Sequence, residues 1–196
     1  MDKNIAHLLD RLRELKGYGY DVLGERDFAL RKAGLKKTEK ILEIGTGRGY
    51  MALALAQKGF SLTTIDNDRK TQQDARRLLK YYRAGKRVRL RIMNAEKLRF
   101  RDGSFDCVLA VNFMHHARNP VACLKEMVRL AKEKVAVVDV NKRGERILEK
   151  MHARQGHAHQ RSKIGFARIR QVFGRAKMKV KTYRSRCQNI IIAKKE

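Results

Sequence analysis

The stretch Lys40-Ile-Leu-Glu-Ile-Gly-Thr-Gly-Arg-Gly-Tyr50 constrains the fold more than any other part of the chain. A short apolar run, Ile41 to Ile44, carries one acid, Glu43, and then meets glycines at alternate positions: Gly45, Gly47 and Gly49. An amphipathic segment, Met51 to Gln57, follows at once. That order predicts a buried strand, a tight glycine turn and a helix N-terminus. Glycine adopts positive φ at little cost and lets a ligand approach the backbone, so the turn suits a nucleotide-like ligand. What surrounds the turn decides which one.

Upstream, Ile5, Leu8, Leu9, Leu12 and Leu15 recur at helical spacing, and Gly17-Tyr-Gly-Tyr20 ends that segment. A second helix is predicted over Glu25 to Ala33, stopped by Gly34. The two helices precede the turn and can cover it. Tyr18 and Tyr20 are expected to pack on the domain surface, with a place in the cover as the alternative.

Downstream, Phe60 to Ile65 is rich in β-branched residues and reads as a second strand, ending in Asp66-Asn67-Asp68. Nucleoside-binding α/β folds place an acid there, about 20 positions past the turn, to accept from both hydroxyls of a ribose. The other reading is a simple helix cap. Both hold together if Asp66 meets the ribose and Asp68 caps a helix from about Arg69 to Tyr82.

Arg87 to Met93 alternates charged and apolar residues, a half-exposed third strand, and Asn94-Ala95-Glu96 follows it. Phe105 to Val111 reads as a fourth strand, ending in Asn112-Phe-Met-His115-His116. Asn119-Pro120 opens a helix with Val121, Leu124, Val128 and Ala131 inward, and Lys134 to Val140 is a fifth strand. This alternation argues a parallel sheet covered on both faces. Two further helices, from about Arg143 to Ala153 and Ser162 to Gly174, flank a polar loop over Arg154 to Arg161. The final strands, Lys179 to Arg186 and Asn189 to Ala193, are joined too closely for a parallel crossover, so they form an antiparallel hairpin.

The 196 residues suffice for one domain with a real core, and no linker or repeat marks a second. Lys and Arg number 47 against 20 Asp and Glu, a net charge of +27. A solvated basic surface accounts for this as well as a partner does; nucleic acid, an anionic membrane surface and an acidic substrate stay open. The even spread of basic residues weakens the case for a dedicated binding arm. Cys107, Cys123 and Cys187 lack CxxC spacing, which fits a reduced, cytoplasmic protein. No signal peptide or long apolar run stands out, so no integral membrane association is expected. His157-x-His159 has no carboxylate or Cys beside it, so a polar lid loop is expected there and no metal site. The residues do not set an oligomeric state.

Over roughly Lys40 to Val140 these motifs resemble the class I S-adenosylmethionine-dependent methyltransferases, in particular the small type 11 group. Glu43-Ile-Gly-Thr-Gly-Arg-Gly49 is similar to that family's acid-x-Gly-x-Gly-x-Gly motif, whereas a dehydrogenase would space its glycines GxGxxG. Phe105-Asp106-Cys-Val resembles its fourth strand. The resemblance implies an α/β fold: a three-layer Rossmann-like sandwich on a mostly parallel seven-stranded sheet, closed by an antiparallel hairpin and preceded by N-terminal helices. It implies one methyltransferase domain over 1–196, with a helical cover (1–36), a cofactor-binding core (37–140) and an acceptor-side region (141–196).

The cofactor implied is S-adenosylmethionine, with S-adenosylhomocysteine as product. By the same resemblance Gly45, Thr46, Gly47 and Gly49 meet the methionine moiety and Glu43 orients the turn or its bound water. Asp66 takes the ribose, Asn67 lies beside the adenine, and Asn94, Ala95 and Glu96 form the adenine segment, with Asn112 on the loop after the fourth strand. Asn94 stands where the family usually has Asp; an amide oxygen still accepts the adenine amino group's bond, with less charge assistance.

His115 and His116, at the carboxyl end of the fourth strand, are the candidate catalytic residues, as positioning or packing groups or as a general base. His152, His157 and His159 would share their rim. The Asn/Asp-Pro-Pro-aromatic motif of nucleic-acid amine methylation is absent, and Cys123 is poorly set as a cytosine nucleophile. The expected acceptor is therefore a small molecule or lipid-like compound. RNA held by the basic surface, or a non-catalytic cofactor-binding module, are the alternatives.

Overall fold

The computed structural model describes residues 3–154, 156 and 164–196. Its strands are β1 (Ile41–Ile44), β2 (Leu62–Asp66), β3 (Val88–Ile92), β4 (Phe105–Val111), β5 (Ala131–Val140), β6 (Lys179–Arg184) and β7 (Gln188–Lys194). They form one seven-stranded sheet in the order β3-β2-β1-β4-β5-β7-β6. The first five pair in parallel. Strand β7 runs against both β5 and β6, which makes it the one reversed strand of the sheet. Neighbours of β1 lead away in opposite directions, to β2 on one side and β4 on the other. Open α/β sheets bind ligands at such a switch point, beyond the carboxyl ends of the strands.

The helices are α1 (Lys3–Gly17), α2 (Val22–Ala33), α3 (Tyr50–Gln57), α4 (Arg69–Tyr81), α5 (Pro120–Leu130), α6 (Lys142–Arg154) and α7 (Phe166–Arg175). Alternation along each strand divides the core. Ile41, Leu109, Val138 and Ile192 face one layer with Leu8, Leu30, Leu55 and Leu78 of α1 to α4. Leu42, Ile44, Val108 and Ile191 face the other, with Leu124, Met127, Ile169 and Phe173 of α5 and α7. A third cluster joins Leu15, Tyr20 and Val22 to Ile147, Leu148 and Met151 of α6. It seats α6 beside the N-terminal helices, over the carboxyl end of the sheet.

Local chemistry accounts for the element ends. Asp21 accepts a bond from the Gly24 amide, so α2 begins at Val22, three residues ahead of the predicted Glu25. Gly34 stops it in the left-handed region at φ +57°. Asp68 caps α4 by accepting from the amides of Lys70 and Thr71, and Asn119 caps α5 by accepting from that of Ala122.

Two expectations are corrected. Helix α3 is not amphipathic: six of its eight residues are buried, because α2 and α4 pack on it as well as β2. Helix α5 passes directly into β5 at Ala131, which pairs with Phe105. Its inward face is consequently Cys123, Leu124, Met127 and Leu130, displaced from the predicted set. The loop over Arg154 to Arg161 and the predicted helix start at Ser162 fall mostly outside the described residues.

Candidate functional site

A cavity of about 740 Å3 opens beyond the carboxyl ends of β1, β2 and β4. Its floor is the glycine turn. The amides of Gly45 and Thr46 both donate to the Ile65 carbonyl at 2.9 Å, binding the turn to the end of β2. The next free amide, that of Gly47, donates to Oδ2 of Asp66 at 2.8 Å. Oδ1 of Asp66 accepts from the Asp68 amide at 3.0 Å. A carboxylate has about four lone-pair sites, so each oxygen of Asp66 keeps capacity for a ligand hydroxyl.

The glycines answer different needs. Gly45 has φ +84°, and a Cβ on it would stand 2.5 Å from Cδ2 of Phe113. Gly47 has φ +49° and open space where a Cβ would be, so a ligand can meet its backbone. Gly49 is a packing glycine: its Cβ would lie 2.9 Å from that of Ala75 on α4.

Of the predicted cofactor residues, Gly45, Gly47, Asp66 and Asn67 line the cavity, as do Asn94, Ala95, Glu96 and Asn112. Glu43, Thr46 and Gly49 do not. The Thr46 hydroxyl is buried 2.8 Å from that of Thr64. Glu43 lies beneath the turn, almost without exposure. Burial pushes its carboxyl up to about 8 and the Asp66 charge adds to this, while a Thr64 hydrogen bond and the Arg26 cation pull the other way. Below that pH Glu43 is a neutral acid, with Oε2 lacking a hydrogen-bond partner among the described residues. Asn94 accepts from the Glu96 amide at 2.9 Å, and Glu96 accepts from the Asn119 amide at 2.9 Å, which braces this segment against α5.

Tyr20 is corrected from surface to site. It is 1% exposed and lines the cavity. Its hydroxyl accepts from Nδ2 of Asn112 at 2.8 Å and from Nε2 of Gln188 at 2.9 Å. Gln188 also donates to Oδ1 of Asn112 at 2.8 Å. Asn112 takes φ +51°, a left-handed conformation that Asn tolerates better than most residues. The network joins the link between α1 and α2, the end of β4 and the start of β7. Burial pushes the Tyr20 phenol up, so it stays protonated at neutral pH. Tyr18, by contrast, is half-buried and accepts from Arg154 at 2.6 Å.

The paired histidines are separated by burial. His115 is buried with Nδ1 3.0 Å from Oδ1 of Asp139, itself buried at the end of β5. His116 is exposed, its ring tilted over that of His115 at a centroid distance of 4.0 Å. Both line the cavity. His152 lines it too, 3.2 Å from Nη2 of Arg11, whereas His157 and His159 lie outside the described residues. Cys107 and Cys123 are buried thiols pushed up to about 12 by that burial, unsuited to act as nucleophiles. Among the described residues no group of three or more His, Cys, Asp or Glu is placed to hold a metal ion. No helix among them is long and apolar enough to cross a membrane.

Sequence reasoning missed two residues. Arg26 is 5% exposed and borders the cavity, and its Nε and Nη1 have no hydrogen-bond partner among the described residues. Its signal was position, because it shares the helical face of Val22, Ala29, Leu30 and Ala33, which are all buried. Asp139 carried the same kind of signal as Glu43, an acid in a buried run that spans Lys134 to Asp139.

A sheet of this order with one reversed strand, and a glycine turn bonded to an acid at the end of β2, are the features of a Rossmann-like α/β fold. A methyltransferase-domain family matches residues 42–138, about half of the chain. The chain is 30% identical over 138 residues to the ubiquinone/menaquinone biosynthesis C-methyltransferase of Citrifermentans bemidjiense, covering 69% of this chain and 58% of that protein. Over 95 residues it is 32% identical to the ubiquinone biosynthesis O-methyltransferase of Thiobacillus denitrificans, covering 48% of this chain and 40% of that one. The chain therefore spans about half the length of these curated relatives. In fold it is similar to the magnesium protoporphyrin IX methyltransferase of Synechocystis, solved with bound S-adenosylhomocysteine. The TM-score is 0.67 at 17% identity, covering 94% of this chain and 86% of that one. The chain matches the methyltransferase-domain family across its core strands and has the fold of the class I S-adenosylmethionine-dependent methyltransferases.

Proposed function

We propose that the chain transfers a methyl group from S-adenosylmethionine to a small organic acceptor. One observation carries this reading: a single cavity of about 740 Å3 holds both the Gly47–Asp66 unit and His115. That volume lies in the usual range for small-ligand sites, about 300–1,000 Å3. Residues of α1, α2 and α6 also line it, among them Leu15, Val22 and Leu148, which provides apolar wall for an organic acceptor. Both curated relatives are methyltransferases of ubiquinone biosynthesis, which supports an acceptor of that size.

The residues present suit the cofactor. The remaining lone pairs of Asp66 serve the ribose hydroxyls, and Asn94 with the Ala95 amide serves the adenine edge. Asn67 and Glu96 border the same end, while Gly45 and Gly47 let the methionine end approach the turn. Glu43, Thr46 and Gly49 hold the turn from beneath. Arg26, on the cavity wall, supplies a cation for the methionine carboxylate, the one anionic group of the ligand. When bound, the cofactor supplies an electrophilic methyl carbon on a sulfonium, so the protein's main task is alignment. Asn112, held by Tyr20 and Gln188, and the buried His115 give that alignment a rigid edge. The reading includes one domain with a cover over 1–36, a core over 37–140 and an acceptor side over 141–196. A reduced, cytoplasmic setting accompanies it, supported by three buried free cysteines.

Calorimetry with two ligands tests it. S-adenosylhomocysteine carries the carboxylate and 5′-methylthioadenosine lacks the amino-acid end. Arg26→Gln is expected to weaken the first about 10- to 100-fold, as for a lost charge-assisted bond, and to leave the second unchanged. No binding of either ligand to the unaltered chain sinks the reading.

A further inference from the structure

We propose that the outer edge of the sheet at β3, with the end of α4, is a binding surface for single-stranded nucleic acid. This surface is separate from the cavity, and it does not depend on the methyl-transfer reading.

Charge is the first observation. Between residues 69 and 92 the chain carries ten Lys or Arg and one acid, Asp74, which pairs with Arg77 at 3.0 Å. Arg69, Arg76 and Lys80 recur at helical spacing on the exposed side of α4. Lys80, Arg83, Lys86, Arg89 and Arg91 are all exposed, and none forms an ion pair among the described residues. Strand β3 ends the sheet on this side, so the cations line an open edge. Charge alone does not mark a site, because edge strands carry Lys and Arg to deter pairing with another sheet. The opposite edge strand, β6, is basic too, with Lys179, Lys181 and Arg184 exposed.

Aromatic side chains set the two edges apart. Among the described residues four large hydrophobic side chains are exposed, and three of them lie here: Tyr81 at 50%, Tyr82 at 37% and Ile92 at 40%. The tyrosine rings meet edge to face, with centroids 5.0 Å apart and planes at 87°. Beyond them Arg83 takes φ +54° and the Ala84 amide donates to the Leu79 carbonyl at 2.8 Å. The chain therefore turns sharply and sets both rings beside the start of β3. At the other edge Tyr183 is half-buried, with the Lys32 ammonium 5.2 Å from its ring centroid.

Exposed aromatic faces among unpaired cations suit a strand whose bases are unstacked. Bases stack on the rings with little regard to sequence, while phosphates meet the guanidinium forks. A duplex hides its base faces and gains nothing from the tyrosines. Shape argues against a membrane surface. Val88 and Leu90 pack into the layer of α1 to α4, so Arg89 and Arg91 point to the other side of the sheet. The cations thus wrap round the edge over two faces. A flat bilayer touches one of them, whereas a flexible strand can follow both. None of these side chains lines the cavity.

Fluorescence anisotropy with the full chain and a labelled oligouridylate or oligo-dT of about 12 nucleotides tests this. Both should bind, with a log–log salt slope of about −3 to −4, each neutralised phosphate on a single strand contributing about −0.7. Tyr81→Ala/Tyr82→Ala should weaken binding by about 10-fold or more through lost stacking and leave the slope unchanged. Tyr81→Phe/Tyr82→Phe keeps the rings and should restore affinity. Arg89→Ala/Arg91→Ala should flatten the slope by about 1.4. Lys179→Ala/Lys181→Ala makes the same charge change at the opposite edge and should leave affinity within about twofold. All the replaced side chains are exposed, so the variants keep the fold. Unweakened binding by Tyr81→Ala/Tyr82→Ala, equal losses at the two edges, or tighter binding of a duplex of the same length each overturns the proposal. So does retention on phosphatidylglycerol vesicles without binding of either oligonucleotide, which would make the edge a membrane surface.

Discussion

The amide of Gly47 donates to Oδ2 of Asp66 at 2.8 Å, so the turn after β1 and the acid that ends β2 move as one unit. Asp66 thus does two things with one carboxylate: it fixes the turn and faces the ligand. Asp66→Ala removes both, and cofactor affinity should fall about 10- to 100-fold by calorimetry, the range for lost charge-assisted hydrogen bonds. Asp66→Asn keeps an oxygen acceptor for Gly47 and should lose less. Equal losses in the two variants would show that the carboxylate charge, which both lack, decides binding and that shape at this position does not.

Gly45 and Gly47 share positive φ yet differ in surroundings. Gly45→Ala places a methyl 2.5 Å from the Phe113 ring at φ +84°. Conformational strain of about 1–2 kcal/mol and overpacking of about 1–3 kcal/mol then add. Gly47→Ala meets open space, so only the strain applies. Urea unfolding should show Gly45→Ala losing at least twice the stability that Gly47→Ala loses. Cofactor binding should suffer in both, since the methyl of Gly47→Ala occupies ligand space.

Glu43 makes stability depend on pH with an unusual sign. Its carboxyl rises from an ordinary 4.5 to about 8 on folding, chiefly by burial. Between those values the folded state holds a proton that the unfolded state has released, so stability falls as pH rises through that window. The loss between pH 5 and 8 is on the order of 3 kcal/mol at about 1.4 kcal/mol per pH unit. Glu43→Gln is neutral throughout and should remove that slope. Urea midpoints of the two proteins at pH 5 and pH 8 decide it; parallel pH profiles would show Glu43 ionised in the fold.

Tyr20→Phe deletes the hydroxyl that accepts from Asn112 and Gln188. Two buried amide groups then lose an acceptor, at a cost of about 1–3 kcal/mol. The urea midpoint should drop with an unchanged m value. Because Asn112 lies on the cavity wall, cofactor affinity should fall as well, which a purely structural tyrosine would not cause.

Much was legible because it is local in the chain. The apolar run before Gly45, the β-branched run before Asp66 and the caps at Asp68 and Asn119 each declare themselves within a few residues. Strand alternation then limits the sheet to a parallel core, and the short link between β6 and β7 forces a reversed strand. The boundary errors at α2 and α5 arose where a cap or strand pairing one turn away outweighed local periodicity.

What stayed hidden is what depends on distant partners. Arg26 reads as one more cation on a helix, and Asp139 as an odd acid in a strand. Tyr20 reads as a turn residue, and His115 cannot be told from His116. Their roles come from Tyr20 meeting Gln188, 168 positions away, and His115 meeting Asp139, 24 positions away. The sequence alone determined the strands of the parallel core, the glycine turn and the acid that ends β2, because hydrophobic period and backbone conformation act over a few neighbouring residues. Only the tertiary structure decided which polar side chains are buried together. Desolvation and hydrogen bonding, which give those groups their chemistry, depend on neighbours that folding supplies.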